Sequence, residues 1–389
     1  MKAITLFEQR FGREPTLLTR APGRANLLGE HVDYNGGPVL PVAIDRTVQL
    51  AAAFSSRDEV TLYAPDLHAE VSFNLKDLEH KLDARGKALP GWALYPAGVA
   101  WSLKKAGLEV PALQAVYSSD LPIGAGLSSS AAVEVAFAVT WQVLVGWEVE
   151  RMTLARLCQQ AENEYVGVAS GLMDQFASLH GMEDHALFFD TRSLKWQALP
   201  LPPDAALVIA DSGVRHSLAG SEYNQRRADC DQAVRILRES LPEMRALRDI
   251  SPVKFAVYRD SLPPVVRQRA EHVVKEIARV ESAVTALKRG ETSAFGALMF
   301  AGHASLRDLY EVSSPELDAL VEIARQLPGC HGARLTGAGF GGCTINLVES
   351  LQAAQFIEDL QIGYQSQTGR TAMVYLCHAS SGAKVDRLN

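Results

Sequence analysis

Cysteine is scarce in this sequence and forms no recognisable metal-binding pattern. Five cysteines stand among 389 residues, without a Cys-x-x-Cys pair or a metal-ligand spacing. An odd number also suits a disulfide framework poorly. The sequence therefore predicts a cytoplasmic protein whose thiols are reduced and mostly buried, at positions Cys158, Cys230, Cys330, Cys343 and Cys377.

Long hydrophobic runs are missing as well. The longest apolar stretch, Ala131–Val145, is interrupted by Glu134 and Gln142 and is too short to span a bilayer. It predicts a buried core helix instead. Residues 1–15 lack the basic, apolar and small-residue order of a secretory signal, and they predict a short amphipathic helix. We therefore expect no membrane partner.

An excess of positive charge is the third absence. The chain carries 38 basic and 45 acidic side chains, a net charge of −7 at pH 7. Nucleic acids and anionic membranes attract positively charged proteins, so we expect no nucleic-acid partner. Small phosphorylated ligands are not excluded, because local groups capture them. No interface motif stands out, and the expected state is a monomer.

The composition that is present is typical of globular proteins, with 47% hydrophobic and 21% charged residues in a chain long enough for about two domains. Strand and helix patterns are mixed in both halves, which predicts an α+β fold. Clustered prolines at positions 200, 202 and 203 deny the backbone hydrogen-bond donors and indicate a boundary. We predict an N-terminal domain over residues 1–203 and a C-terminal domain over residues 204–389.

A first polar segment lies near the N-terminus, in Pro22–Gly37. It concentrates Arg24, Glu30, His31 and Asp33 in what we interpret as a loop bounded by glycines. Several strong donors and acceptors together suit a polyhydroxylated ligand, because each buried hydroxyl needs a partner. A polar surface turn remains the alternative. A metal site at these residues is not expected, because no third His or Cys follows at ligand spacing.

A second segment, Leu121–Ala132, is rich in glycine and serine and leads directly into a predicted helix. Glycines let backbone amides approach an anion, and a helix start adds unpaired N–H groups. These features indicate a phosphate-binding loop. The loop lacks the Gly-Lys-Ser/Thr of a Walker A motif. A flexible turn with a serine helix cap is the alternative.

A third segment, Arg334–Cys343, satisfies the Gly-x-Gly-x-x-Gly pattern. A dinucleotide-binding motif would follow a strand and open a helix, whereas these glycines precede a predicted strand, Cys343–Val348. We therefore predict a tight glycine loop that packs against the phosphate-binding loop of the other domain.

Two further carboxylates, Asp174 and Glu162, are candidate site residues. Asp174 lies in Gly171–Gln175, within an apolar stretch where an unpaired buried carboxylate would be costly. Arg24 offers compensation if the two segments meet. Glu162 lies on a predicted helix at the flank of its buried face. Each acid, considered alone, also fits a solvated or capping surface residue.

Together these segments resemble the GHMP kinase superfamily of galactose, homoserine, mevalonate and phosphomevalonate kinases. Pro22–Asn35 is similar to the signature of the galactokinase family, Pro122–Ala132 to the superfamily phosphate loop and Leu335–Gly342 to its C-terminal glycine loop. Further similar segments are Gly171–Gln175, Val214–Leu218, Ser221–Tyr223, Ser305–Arg307 and Tyr310–Ser313. The resemblance implies a two-domain GHMP kinase fold, with mixed sheets and helices in each domain and the active site in the cleft between them.

The resemblance also implies roles for individual residues. Asp174 matches the catalytic base and Arg24 its cationic neighbour. Mg²⁺ is the expected cofactor, held by Ser130 and Glu162. The residues expected to bind the sugar are Glu30, His31, Asp33, Gly171, Asp174 and Tyr223. The residues expected to bind ATP are Trp92, Gly124, Ala125, Gly126, Leu127, Ser128, Ser129 and Ser130.

The implied reaction transfers the γ-phosphoryl group of ATP to the anomeric hydroxyl of α-D-galactose, giving galactose 1-phosphate and ADP. Galactose and ATP are then the expected small-molecule partners. A kinase for a related sugar such as N-acetylgalactosamine is one alternative. A sensor that binds galactose and ATP without catalysis is another, although the retained Asp174, Arg24 and Glu162 argue against it.

Overall fold

The computed structural model describes residues 2–122, 124–215 and 219–388. Residues 216–218 of the family-like segment at Val214–Leu218 therefore lie outside the described residues, as does Ile123 of the phosphate-loop segment. The α-helices in the described ranges are α1 (Lys2–Phe11), α2 (Gly91–Lys105), α3 (Ser129–Val145), α4 (Arg151–Gln160), α5 (Met173–His180), α6 (Ala219–Leu237), α7 (Pro252–Tyr258), α8 (Pro264–Lys288), α9 (Thr292–Ser305), α10 (Pro315–Gln326) and α11 (Ala353–Thr368). Helices α4 and α9 each continue into a π-helical turn, at Ala161–Val166 and Leu306–Tyr310.

The β-strands are β1 (Leu17–Asn26), β2 (Pro38–Val39), β3 (Pro41–Phe54), β4 (Glu59–Ala64), β5 (Ala69–Asn74), β6 (Leu113–Ser119), β7 (His185–Asp190), β8 (Trp196–Pro200), β9 (Ala205–Asp211), β10 (Cys330–Thr336), β11 (Cys343–Glu349), β12 (Met373–Cys377) and β13 (Lys384–Arg387). They form a six-stranded sheet in the order β13-β1-β3-β6-β4-β5, a four-stranded sheet β10-β11-β9-β12 and a three-stranded sheet β2-β7-β8. Sheets and helices occur in both halves, which confirms the predicted α+β fold.

Strand β1 corrects the interpretation of the first polar segment. Arg24 lies on this strand rather than in a loop, paired with Ala43 of β3 after a register shift that begins at Pro22. Nine of the ten β1 residues are buried. A strand covered on both faces loses the alternation of polar and apolar residues that would have revealed it.

Helix α3 is the buried core helix that the sequence predicted. Its side chains from Ala131 to Trp141 are mostly buried, and the helix ends at Gly146, whose φ of 84° is left-handed. It packs against β1 and β3 of the six-stranded sheet. Because α3 is fixed on this sheet, its N-terminus at Ser129 holds a defined position beside β1.

The end of the chain returns to the first sheet. Strand β13 pairs with β1, with Leu17 opposite Arg387, so residues far beyond position 203 complete the N-terminal sheet. The domain boundary near Pro200–Pro203 stays a prediction. In the described ranges, no helix is long and apolar enough to cross a bilayer.

Candidate active site

A cavity of about 210 Å³ opens where the end of β1, the loop after it, α5 and α6 come together. Its lining residues are Arg24, Glu30, His31, Asp33, Glu162, Val168, Ser170, Gly171, Met173, Asp174, Tyr223, Gly337 and Ala338. The structure thus brings all the predicted sugar-contacting residues together, with Arg24 and Glu162 beside them.

Arg24 and Asp174 meet at one side of this cavity. The Arg24 Nε donates to Asp174 Oδ1 and the Nη2 to Oδ2, both at 2.8 Å, which is the bidentate geometry of a strong guanidinium–carboxylate pair. Nη1 donates to the Gly126 carbonyl at 2.6 Å. Ser128 Oγ donates a further hydrogen bond to Asp174 Oδ2. The pair therefore joins the cavity to the glycine- and serine-rich loop.

Glu30 belongs to a buried group that we call the arginine-centred trio: Glu30, Arg334 and Glu276. All three are at most 1% exposed. Arg334 Nη2 lies 2.6 Å from Glu30 Oε2, an ion pair outside hydrogen-bond geometry, and its Nη1 donates to Glu276 Oε1 at 2.8 Å. Burial raises the pKa of Glu30 to about 7, although Arg334 opposes that shift. One arginine is thus shared between two carboxylates.

His31 is held at both ring nitrogens. Nε2 lies 3.1 Å from the Ala338 carbonyl, which can only accept, so Nε2 carries the proton. Nδ1 then accepts from the Tyr34 hydroxyl at 2.8 Å, and Tyr34 in turn accepts from Tyr310 at 2.8 Å. Burial lowers the pKa of His31 to about 3, so the ring is neutral. Its orientation is set by this chain of hydrogen bonds.

Asp33 and Gly171 are in close contact across the cavity. A Cβ atom added to Gly171 would lie 1.8 Å from Asp33 Oδ2, so this approach requires glycine. Asp33 Oδ1 accepts from the Tyr34 amide at 2.9 Å. Burial, followed by repulsion from Asp174, raises the pKa of Asp33 to about 6.

Tyr223 reaches the cavity from α6, in the second half of the chain. Its ring centroid lies 5.4 Å from that of His31 and 5.5 Å from that of Tyr34. Burial, followed by repulsion from Asp33 and Asp174, raises the pKa of Tyr223 well above its usual value, so its hydroxyl stays protonated. The side chain therefore adds a neutral hydrogen-bonding group beside two carboxylates.

The predicted phosphate-binding loop precedes α3, as the sequence indicated. Gly124 and Gly126 have φ values of 66° and 79°, and Ser128 adopts a left-handed φ of 57° just before the helix. The glycine loop after β10 packs against it: a Cβ on Gly337 would lie 2.6 Å from the Gly126 carbonyl, and one on Gly342 would lie 2.7 Å from that of Ala125. The predicted packing of the two loops is confirmed.

Glu162 belongs to a second buried group, the glutamine-centred trio: Glu162, Gln175 and Glu134. Gln175 Nε2 donates to one oxygen of each glutamate, at 2.9 Å in both cases. Glu162 Oε1 accepts a long 3.3 Å hydrogen bond from Ser130 Oγ, and Ser170 Oγ donates to Oε2. Burial raises the pKa of Glu162, and repulsion from Asp174 adds to the shift.

A hard divalent cation fits Ser130 and Glu162. Hydroxyl and carboxylate oxygens are donors that Mg²⁺ favours, and Mg²⁺ commonly completes its coordination with water and nucleotide phosphates. Glu162 is buried, and the hydrogen-bond donors that contact it are neutral. In the described part of the chain it has no direct arginine or lysine partner. Clusters of three or more His, Cys, Asp and Glu suited to a metal do not occur among the described residues, so a cation here would depend on the nucleotide for ligands.

Trp92, predicted to contact the adenine, does not line the cavity. It lies in the first turn of α2, half-buried, with its ring 6.0 Å from that of Tyr117. Its role stays a prediction. The sequence interpretation missed Arg334 as a site residue, although a charged residue in the buried strand β10 was a signal. It also gave no role to Glu134 or Glu276.

The sequence is similar to known protein families over most of its length. The galactokinase galactose-binding signature matches residues 5–54, the GHMP kinase N-terminal domain residues 95–182 and the GHMP kinase C-terminal family residues 283–364. The galactokinase of Roseiflexus sp. (strain RS-1) is 48% identical over 376 residues, covering 97% of this chain and 94% of the relative. The Homo sapiens galactokinase is 43% identical over 390 residues, covering 99% and 96%.

Solved structures agree with the sequence matches. Lactococcus lactis galactokinase, crystallised with galactose, superposes with a TM-score of 0.92 at 34% identity, covering 98% of each chain. Methanococcus jannaschii mevalonate kinase shares the fold, with a TM-score of 0.64 at 20% identity over 95% of this chain and 99% of that one. Similarity over nearly the whole length, in sequence and in fold, shows that the chain belongs to the galactokinase family of the GHMP kinases.

Proposed function

We propose that the protein phosphorylates galactose at its anomeric hydroxyl, with ATP as the phosphoryl donor. Membership of the galactokinase family supports this activity. The observation that carries it is the position of Asp174, which lines the cavity with the sugar-signature residues and accepts a hydrogen bond from Ser128 of the phosphate-binding loop. This position supports the proposal that a sugar hydroxyl and the transferred phosphoryl group meet beside Asp174.

Asp174 is the proposed base. It orients the C1 hydroxyl of galactose and accepts its proton, while the sugar oxygen forms a bond to the γ-phosphorus and the bond to the β-phosphate oxygen breaks to release ADP. The bidentate Arg24 fixes both carboxylate oxygens and offsets negative charge on the transferring group. Because such transition states are largely loose, accurate positioning supplies much of the rate.

The other end of the cavity is proposed to select the sugar. Glu30 and Asp33 offer acceptors for its hydroxyls, Tyr223 offers a hydroxyl and Gly171 leaves the space that a side chain would fill. His31 contributes the shape of the wall, because both of its ring nitrogens already have protein partners. Each buried hydroxyl of the correct sugar then replaces its lost water with a fixed partner.

The nucleotide is proposed to bind at the loop Gly124–Ser130. The positive-φ glycines of this loop and the N-terminus of α3 would present backbone amides to the ATP phosphates. Ser130 and Glu162 would hold Mg²⁺, which when bound neutralises phosphate charge. Leu127 and Ala125 are buried, so they shape the loop through packing, while Gly126 and Ser128 also fix Arg24 and Asp174.

Substrate choice is tested by a coupled ADP-release assay across galactose, N-acetylgalactosamine, glucose, arabinose and mevalonate. We expect the highest kcat/KM for galactose. A higher value for N-acetylgalactosamine would identify a sister kinase. Galactose and ATP binding by calorimetry without ADP release from any sugar would identify a sensor.

The role of Asp174 is tested with Asp174→Asn, which keeps the shape of the side chain. We expect normal folding and retained binding of both ligands by calorimetry, with turnover lowered by about 10²- to 10⁴-fold, the usual contribution of general base catalysis. Asp386→Asn is the control, because Asp386 lies in an exposed ion pair with Arg20. Turnover near that of the wild type in Asp174→Asn would refute the base assignment.

A further inference from the structure

We infer that Gln175 is a positioning residue that holds Glu162 with one carboxylate oxygen turned toward Ser130, and that Glu134 anchors Gln175 in turn. This inference rests on the proposed function, in which Glu162 and Ser130 hold the cation that accompanies ATP. It assigns a purpose to two fully buried polar side chains, Gln175 and Glu134, that the proposed chemical step does not use.

Three separate elements build the glutamine-centred trio. Glu134 projects from the core helix α3, Glu162 from the π-helical turn after α4 and Gln175 from α5. Glu134 and Gln175 are both 0% exposed and Glu162 is 5% exposed. Side chains so enclosed have few alternative rotamers, so their contacts define the direction of each carboxylate.

The two carboxylate oxygens of Glu162 have different hydrogen-bond partners. Oε2 accepts from Gln175 Nε2 at 2.9 Å and also from Ser170 Oγ. Oε1 has the single long contact of 3.3 Å with Ser130 Oγ. An oxygen with two donors has little capacity left, whereas Oε1 and the Ser130 hydroxyl stand side by side with capacity to spare. The trio therefore directs one defined oxygen of Glu162 to the proposed cation position.

A glutamine suits this task for a chemical reason. Its amide nitrogen carries two hydrogens, so one side chain can donate to both Glu162 and Glu134. An apolar residue would leave two buried carboxylates without these donors. An arginine or lysine would neutralise Glu162 and compete with the cation. A neutral donor orients the carboxylate and leaves its charge available.

The position of Gln175 also links two parts of the proposed reaction. It follows Asp174 directly, in the first turn of α5. Asp174 is held by Arg24 while Gln175 holds Glu162. The same helical turn therefore fixes the proposed base and the proposed cation ligand relative to each other.

The test compares nucleotide binding with and without metal in the full-length protein. Calorimetry measures the affinity for a non-hydrolysable ATP analogue in saturating Mg²⁺ and again in EDTA. Replacement of the residues that orient a metal ligand typically weakens metal affinity by ~10- to 100-fold. We expect Gln175→Met, which fills a similar volume without a hydrogen-bond donor, to lower the affinity measured in Mg²⁺ by ~10-fold or more. Affinities for the analogue in EDTA and for galactose should stay within about twofold of the wild type.

Controls separate this inference from the proposed function. Gln142→Met is the matched control, because Gln142 lies on α3 and donates to the Val149 carbonyl at 3.3 Å, outside the trio; it should change none of the affinities. Glu162→Ala tests the cation ligand itself. An unchanged affinity in Mg²⁺ for Glu162→Ala overturns the metal assignment within the proposed function. A loss in Glu162→Ala combined with none in Gln175→Met overturns the positioning role alone.

Ser170→Ala keeps the inference testable if Gln175→Met does not fold. Ser170 donates to the same Glu162 oxygen from a less enclosed position. We expect Ser170→Ala to weaken nucleotide binding in Mg²⁺ severalfold and to leave binding in EDTA unchanged. Equal affinities for Ser170→Ala and the wild type in Mg²⁺ would show that the orientation of the Glu162 carboxylate does not depend on the hydrogen bonds to its Oε2.

Discussion

The two buried trios of this active site have the same outline and opposite electrostatics. In each, one side chain bridges two glutamates in the protein interior: Arg334 between Glu30 and Glu276, and Gln175 between Glu162 and Glu134. The bridging arginine carries a permanent positive charge, whereas the bridging glutamine is neutral. The first trio therefore contains a fixed positive charge, and the second contains none.

The pKa shifts follow this difference. Burial opposes ionisation of Glu276, but Arg334 and Arg279 outweigh it and hold the pKa of that carboxyl well below its usual value. Burial and repulsion from Glu162 raise the pKa of Glu134 well above its usual value, with one Gln175 hydrogen bond opposing them. Charge compensation is thus complete for one carboxylate of the arginine-centred trio and absent for one of the glutamine-centred trio.

The difference matches the charges of the proposed ligands. Galactose is neutral and brings no counter-ion, so carboxylates that bind its hydroxyls need their positive charge built into the fold. ATP brings a divalent cation, so a carboxylate beside its phosphates is best left with neutral donors. The two trios therefore distinguish the proposed sugar end of the site, which contains the fixed charge of Arg334, from the proposed nucleotide end, where Gln175 is neutral.

The largest expected effect comes from removing the fixed charge. Arg334→Met leaves Glu30 and Glu276 buried without their shared partner, and breaking a buried ion pair typically costs ~3–5 kcal/mol. We expect a loss of that size in the free energy of unfolding, measured by urea denaturation. Arg20→Met is the control: it removes an exposed pair with Asp386, which typically contributes ~1 kcal/mol or less. Equal losses in the two variants would mean that Arg334 does not compensate the trio.

A second prediction concerns pH. The pKa of Glu30 is raised to about 7 and that of Asp33 to about 6, in both cases chiefly by burial. If sugar hydroxyls donate to the ionised carboxylates, a fall in pH from ~8 to ~6 should weaken galactose binding by ~10- to 20-fold, because protons must first be released. Calorimetry across this range measures the change.

Stability should respond to pH in the opposite direction. A carboxyl whose pKa is higher in the folded protein than in the unfolded chain holds its proton longer when folded, so stability falls as pH rises toward the folded pKa. For Glu30 this window runs from its usual value of 4.5 to about 7. Glu30→Gln should remove the pH dependence near pH 7 from both the galactose affinity and the free energy of unfolding. A galactose affinity that stays constant over this range would exclude Glu30 and Asp33 as ionised acceptors.

The contacts within the two trios could not be predicted from the sequence, whereas some secondary-structure elements and one ion pair could. Helix α3 and strand β11 follow from local hydrophobic patterns, which a sequence displays directly. The approach of Arg24 to Asp174 followed from the cost of an unpaired buried carboxylate. Both kinds of inference need only neighbouring residues or a single rule about charge.

The sharing of Arg334 needed the folded chain. Its two glutamate partners, Glu30 and Glu276, lie in different halves of the sequence, and no local pattern links either of them to Arg334. Strand β13 reaches β1 from the far end of the chain for the same reason. Which distant residues come into contact depends on how the sheets and helices pack, and this packing is determined by residues throughout the chain.

The smallest expected effect belongs to the neutral neighbours of the arginine-centred trio. Tyr34→Phe keeps the ring but removes the hydroxyl that donates to His31 Nδ1 and accepts from Tyr310. Leaving a buried acceptor without its donor typically costs ~1–3 kcal/mol, and we expect a loss of ~1–2 kcal/mol in the free energy of unfolding. Urea denaturation measures it against Tyr258→Phe, whose hydroxyl forms no hydrogen bond with the described residues.

The tautomer of His31 gives this variant a second readout. Burial lowers the pKa of His31 to about 3, so the neutral ring must choose which nitrogen carries the proton. The Ala338 carbonyl at Nε2 and the Tyr34 hydroxyl at Nδ1 together select the Nε2-protonated form. Nitrogen-15 NMR should detect that form in the wild type and a mixture of tautomers in Tyr34→Phe. A loss of stability as large as that of Arg334→Met would instead mean that neutral hydrogen bonds, and not the fixed charge, hold the sugar end of the site together.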